Sequence, residues 1–367
     1  MGGTFARKIN RVALKPAALL GLLMVGFIVL QCSLPLRTAV KIGADEDFEL
    51  SKATLCLKGY QLYTQIWCDQ PPLYVTLLTS ILRHISPGIL GPRLLTSGFV
   101  VLNWLTGNPL LLQFQQAWGA HVASARSLEY GSPEQHAFDW TVLLKNWDTS
   151  APALVGVFFL ARSGWPVKST ALPLVWLALT LVVFGTHKPW WSCYYVHNAL
   201  PLCWCAGVGI AMTWHYVRAR RSYVLGALLA LYAVCASAWM GARLYLQEAG
   251  IRQNPKLYTC LALKEIERFK PFTTFIFTDQ PIYSFHSGIP LPPRLAVLSL
   301  KRFWTGDIST AQVVAELESI KPGLIFLAND TRELAYQGLL NREYQLVYQD
   351  SANRLYAHRS IVRKAKY

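Results

Sequence analysis

The sequence predicts a mostly α, multi-pass transmembrane helical bundle of about seven spans, followed by a small C-terminal α/β extracytoplasmic domain. Three observations predict it. Of the 367 residues, 53% are hydrophobic and 15% charged, against about 25% charged in soluble domains. Charges are missing from Pro16 to Leu36, Leu94 to Ala125, Ser222 to Ala242 and, His apart, Pro189 to Val217. Each run reaches the roughly 20 apolar residues that a helix needs to cross a bilayer. After Gln247 charges return and apolar runs shrink to strand length, which divides a membrane domain, 1–246, from a soluble domain, 247–367.

The spans are expected at 16–36, 70–84, 92–111, 148–162, 169–186, 195–215 and 223–245. The first follows Arg7, Lys8, Arg11 and Lys15. It is long for a signal peptide and no small-residue cleavage site follows it, so it reads as a retained anchor. Basic residues gather on the cytoplasmic side of membrane proteins. The N-terminus is therefore expected inside, Arg218, Arg220 and Arg221 inside, and the C-terminal domain outside, which is the periplasm if the cell is Gram-negative. Loops 37–69 and 112–147, and the aromatic stretch from His187 to Asn198, then face outward. Arg93 falls on the inner side in this topology and is read as a structural residue of the bundle. The net charge of +15 is explained by these flanking clusters, and no nucleic-acid motif accompanies it.

In the C-terminal segment, Thr273 to Asp279 and Gly323 to Asn329 have the pattern of buried strands that end in polar turns. Ser309 to Ile320 has helical periodicity, with Ser309 or Thr310 as its cap. Tyr344 to Asp350 and Arg354 to Ser360 form a closing hairpin around 351–353. No phosphate loop or nucleophile elbow is present.

The first outer loop concentrates the chemistry. Asp45, Glu46, Asp47 and Glu49 stand just beyond the first span. Gly59, Tyr63 and Asp69-Gln70-Pro71-Pro72 follow, at the head of the second. Acids at the mouth of a membrane cavity are a functional-site hypothesis. They equally suit a solvated helix N-terminus favoured by the macrodipole, and spacing alone leaves both readings open. His121, Glu129, His136 and Asp139 match no metal template and read as a solvated loop. His197 reads as an interface residue or a proton shuttle. Cys56 and Cys68 share the outer loop, where a disulfide and two free thiols are both open.

An apolar first helix, an Asp-Glu pair outside it, the Gly59–Tyr63 turn and an acidic-x-Pro-Pro-Leu step resemble the C-type membrane glycosyltransferases. The likeness is to the aminoarabinose-transferase, protein-mannosyltransferase and lipopolysaccharide-core (Rgt-like) members. Gly91 to Ser97 resembles that family's Arg-containing step into its third helix, and His187 to Ile210 a late helix pair. The resemblance implies a polyprenyl-phosphate-linked sugar as donor and a glycan, lipid or protein as acceptor, with inversion on the outer membrane face. It places the general base on Asp45, with Glu46 beside it. A carboxylate between an apolar wall and other acids has the raised pKa such a base needs. The departing phosphate needs donors in a low-dielectric site; the resemblance places that role at Gln70, and Lys188 and His187, on the outer side, read either as its substitutes or as snorkelling interface residues. Gln70 stands where the aminoarabinose transferases have Lys. Asp47, Asp69, Tyr63 and Tyr195 are the residues expected toward the acceptor. No cofactor is implied, and a divalent cation stays open.

Family members usually have more spans, so a middle block of helices is missing here by comparison. The competing expectation is a truncated, inactive relative that serves as a membrane scaffold or accessory protein. A transporter would show paired half-chain repeats, and the sequence has none.

Overall fold

In a computed structural model of the chain, residues 16–42, 46–68, 72–84, 88–106, 137–162, 167–186, 190, 194–304, 306–328 and 333–364 are described. The helices in chain order begin with α1 (Pro16–Ser33), α2 (Glu46–Leu57), α3 (Pro72–His84) and α4 (Leu90–Thr106). Next come α5 (Thr141–Lys145), α6 (Trp147–Arg162), α7 (Val167–Thr186), α8 (Tyr195–Arg220) and α9 (Tyr223–Gln253). The C-terminal segment carries α10 (Leu261–Phe269), β1 (Ile276–Thr278), α11 (Ile282–Ser287), α12 (Leu300–Trp304) and α13 (Thr310–Ile320). It ends with β2 (Leu324–Ala328), α14 (Glu333–Glu343), β3 (Tyr344–Gln349), β4 (Asn353–His358) and α15 (Arg359–Lys364).

The architecture is mostly helical with one small sheet. Every expected span contains a helix, but two of the described helices are long and apolar enough to cross a membrane, α8 and α9. None of the residues of α9 is buried inside the chain. Tyr223, Leu231 and Val234 are 90%, 60% and 67% exposed. An uncharged, exposed apolar run of this kind, from Tyr223 to Ala242, is of the composition that lipid accommodates.

Two compact units are present: residues 1–113, 248–299 and 308–367 in the first, and 114–247 with 300–307 in the second. The first unit is built on a four-stranded sheet in the order β1-β2-β4-β3. β1 and β2 are parallel, and β4 runs antiparallel to both β2 and β3. These are the strands and the hairpin that the sequence pattern predicts. Ser309 caps α13 through a reciprocal bond set with Gln312, which satisfies two backbone donors at the helix start.

The core of this unit joins distant parts of the chain. Val40, Leu50, Leu55, Ile66 and Ile89 pack in one cluster with Ile266, Ile276, Leu324, Phe326 and Leu355. Backbone bonds from Val40 N to Pro255 O (2.9 Å) and from Leu257 N to Thr38 O (2.8 Å) reinforce that union. The segment 37–69 is therefore part of a packed core and more than a loop between spans.

The placement of the second expected span needs correction. α3 has 13 residues, about 20 Å at 1.5 Å per residue, too short for a bilayer core of about 30 Å. Chain on both sides of it also stays together: Glu46, before α3, is ion-paired with Arg93, after it. A crossing by α3 would place these two charges on opposite membrane faces. Arg93 accordingly lies with Glu46, so the expectation that sets the two on opposite faces is corrected.

In the second unit, α6 and α8 touch backbone to backbone. A Cβ at Gly156 would lie 1.8 Å from Cys205 O, and one at Gly209 would lie 2.1 Å from Pro152 O. Small residues permit such an approach where lipid supplies no hydrophobic drive between helices. Ala153, Leu160, Leu177, Leu202 and Cys205 fill the adjoining core.

Candidate functional site

The acidic turn begins α2, and each of its described carboxylates has its own cation. The Glu46 Oε1 accepts from Arg93 Nε at 2.6 Å; its Oε2 accepts from Arg93 Nη2 at 3.0 Å and from Ile42 N at 2.8 Å. Arg93 Nη1 donates to Leu36 O and Ala39 O at 2.6 and 3.1 Å. One buried guanidinium thus joins the chain after α1 to the start of α2. A planar fork meeting a carboxylate is the strongest form such a pair takes.

Asp47 is 3% exposed and accepts from Lys41 Nζ at 2.7 Å. Burial pushes its carboxyl above the ordinary range, while the Lys41 hydrogen bond and charge oppose that. Glu49 takes Lys52 Nζ at 2.5 Å, and the same ammonium lies 3.9 Å from Cys68 Sγ. Acids in a first helical turn are favoured by the macrodipole, and the three ion pairs add to that placement.

α11 contributes His286, whose Nε2 bonds Val40 O at 2.9 Å. Burial pulls its pKa below the ordinary imidazole value; the Val40 bond raises it, Arg93 lowers it and Glu46 raises it. A carbonyl partner requires the proton on Nε2, which leaves Nδ1 as an acceptor. His286 and Arg37 line an open cavity of about 320 Å³, whose apolar wall is formed by Ile89, Leu90, Leu257 and Phe285.

Of the residues expected at the site, the structure brings Glu46 and Asp47 together on the first turn of α2. Asp45, Asp69, Gln70, His187 and Lys188 lie outside the described residues. Tyr63 is 55% exposed and sits in a turn at φ 68°, held by a bond from its N–H to Ile66 O at 2.8 Å. Tyr195 starts α8 in the second unit, where it packs against the cluster around Ala153 and Leu202. Asp47 is turned into the core beside Lys41, so its carboxylate has little surface to offer an acceptor.

Among the secondary candidates, His121, Glu129 and His136 lie outside the described residues. Asp139 accepts from Thr141 N, Thr141 Oγ1 and Lys145 Nζ. Those bonds from Thr141 and Lys145 hold its carboxyl below the usual range, in keeping with a local turn-forming role. His197 stacks on Phe184 with ring centroids 5.2 Å apart. Cys56 and Cys68 are free thiols. No cluster of three or more His, Cys, Asp or Glu among the described residues is placed to hold a metal.

The sequence reading of Arg93 as a structural, pairing residue agrees with its ion pair to Glu46. Sequence reasoning missed two participants. Arg37 and His286 carried no signal, since nothing local marks a residue that a distant segment brings to a cavity.

A second polar centre, also missed, lies in the second unit. Arg243 Nη2 is 3.1 Å from Asp148 Oδ2, Arg243 Nη1 donates to Asn146 Oδ1, and Tyr232 donates to Asp148 O at 2.5 Å. An arginine inside the long apolar run of α9 was its one visible mark.

The chain matches no family model, and no curated protein or solved structure is detectably similar to it.

Proposed function

We propose that the chain is an integral membrane glycosyltransferase that moves a sugar from a polyprenyl-phosphate donor to an envelope glycan, lipid or protein, with Asp45 as general base. The observation that supports this most is the Glu46–Arg93 fork beside an open cavity, next in the chain to Asp45 and a short distance after the apolar α1. Both oxygens of Glu46 are occupied, so Glu46 serves as an anchor and the proton-accepting role goes to its neighbour.

In the proposed reaction Asp45 takes the proton of an acceptor hydroxyl as that oxygen bonds to the anomeric carbon. The bond from that carbon to the phosphate oxygen breaks, the electron pair leaves with the polyprenyl phosphate, and the configuration inverts. The membrane arrangement proposed with it has the N-terminus in the cytoplasm and the acidic turn, with the C-terminal segment, on the outer face. α8 and α9 are the helices whose length and composition support it best.

A second reading, a non-catalytic scaffold, is favoured by one observation: all three described acids of the turn are paired with cations. The two readings separate in membranes supplied with radiolabelled polyprenyl-phosphate sugars. Transfer by the wild type, lost in Asp45→Asn with the protein level unchanged, supports the enzyme. Absence of transfer across a panel of donors and acceptors supports the scaffold.

A further inference from the structure

We propose that the cavity between Arg37, the start of α4 and His286 receives the phosphate head of an anionic lipid, with the first part of its hydrocarbon chain against the apolar wall. Four cations elsewhere in this unit are already engaged by acids. Arg93 is consumed by Glu46 and two carbonyls, Lys41 by Asp47, Lys52 by Glu49 and Arg252 by Glu248. Arg37 is exposed, lines the cavity, and has no ion-pair partner among the described residues. A free guanidinium over an apolar wall calls for an anion with an apolar body, because either half alone would leave the other unmatched.

Two further features support a phosphate. Leu90, in the wall, opens the 17-residue α4, whose amino end carries partial positive charge. His286 is held neutral by burial with Nε2 on Val40 O. It offers an acceptor nitrogen, suited to a hydroxyl carried next to the phosphate and not to a second anion.

The depth also fits. Arg37 comes four residues after Ser33, which ends the 18-residue uncharged α1. Arginine at the end of an apolar helix sits at the level of lipid head groups. A volume of about 320 Å³ accommodates a phosphate head with a short length of chain, and the open side lets the remainder leave toward lipid. This assignment deepens the transfer reading and rests on it only in naming the lipid as the sugar donor; the binding itself stands apart.

The test uses the full chain in detergent with three probes: farnesyl phosphate, farnesol and inorganic phosphate. Farnesyl phosphate is expected to bind, and Arg37→Ala to weaken it about tenfold or more, as loss of a charge-assisted contact does. Arg37→Lys should retain part of the affinity, and Leu90→Trp, which fills the cavity, should abolish it while the helical circular dichroism is kept. Equal affinity in Arg37→Ala, or farnesol binding as tightly as its phosphate, overturns the proposal. Full competition by inorganic phosphate alone also overturns it, in favour of a free-anion site. Binding without any sugar transfer would sink the enzyme reading and leave this one standing. Transfer indifferent to Arg37 would do the reverse.

Discussion

Arg93 holds both carboxylate oxygens of Glu46 in a two-pronged ion pair across 47 residues of chain, at 2.6 and 3.0 Å. Its remaining Nη1 closes onto Leu36 O and Ala39 O. The pair therefore ties the exit of α1, the start of α2 and the start of α4 at one point. Any catalytic role for the acidic turn depends on that point staying rigid, since a displacement near 1 Å is costly to a reacting geometry.

Removing one partner of this pair leaves a buried charge unmatched. Arg93→Met and Glu46→Gln are each expected to destabilise the first unit by about 3–5 kcal/mol. The double variant should recover a large part of that loss. Denaturation of the purified wild type, both single variants and the double variant in one detergent measures the coupling. Strict additivity of the two single effects would show that the pair contributes nothing.

His286 gives the stability a pH dependence. Burial keeps its folded pKa below the ordinary value of 6.5, so below that value the unfolded chain binds more protons than the folded one. Stability is whole above the unfolded pKa and declines as pH falls through it toward the folded pKa. From about pH 8 to about pH 5 the wild type should lose midpoint stability. His286→Gln, which can still donate to Val40 O but does not titrate, should lose less. Identical slopes would remove His286 from the account.

The close approach of α6 and α8 predicts a sharp positional rule for glycine. Gly156→Ala and Gly209→Ala place a methyl about where Cys205 O and Pro152 O already lie, so the helices must separate. Each substitution is expected to cost about 1–3 kcal/mol. Gly207→Ala, on the same helix but with nothing within 4 Å of its added carbon, should be neutral. Alanine is the better helix former, so propensity alone would stabilise all three variants; thermal unfolding decides it, and an equal loss at Gly207 would show that the close approach is not the cause.

The Asp148–Arg243 pair should behave as a buried pair with an exposed flank. The Asp148 side chain is 7% exposed and that of Arg243 34%. Arg243→Met strands the carboxylate and is expected to cost about 3 kcal/mol, with Asp148→Asn in the same chain restoring most of it. Failure of the second change to restore stability would assign the loss to packing of the arginine stem.

Much of the secondary structure was legible because its causes are local. Charge-free runs mark α1, α8 and α9; alternating or continuous apolar residues mark β1 and β2; and Ser309 with Gln312 marks the start of α13. α3 was legible as a helix but not as a non-crossing one, since apolarity over 13 residues does not reveal where the chain resumes.

By itself the sequence determined the apolar helices, the strands and the clustering of acids just beyond α1, each a matter of neighbouring residues. Tertiary structure alone decided that Arg93 meets Glu46, that His286 reaches Val40, and that residues 40–66 share a core with the C-terminal sheet. The physical reason is that hydrophobic periodicity acts over a few turns. Ion pairs and core contacts between residues far apart in sequence are selected only when the folded backbone brings them within a few ångströms.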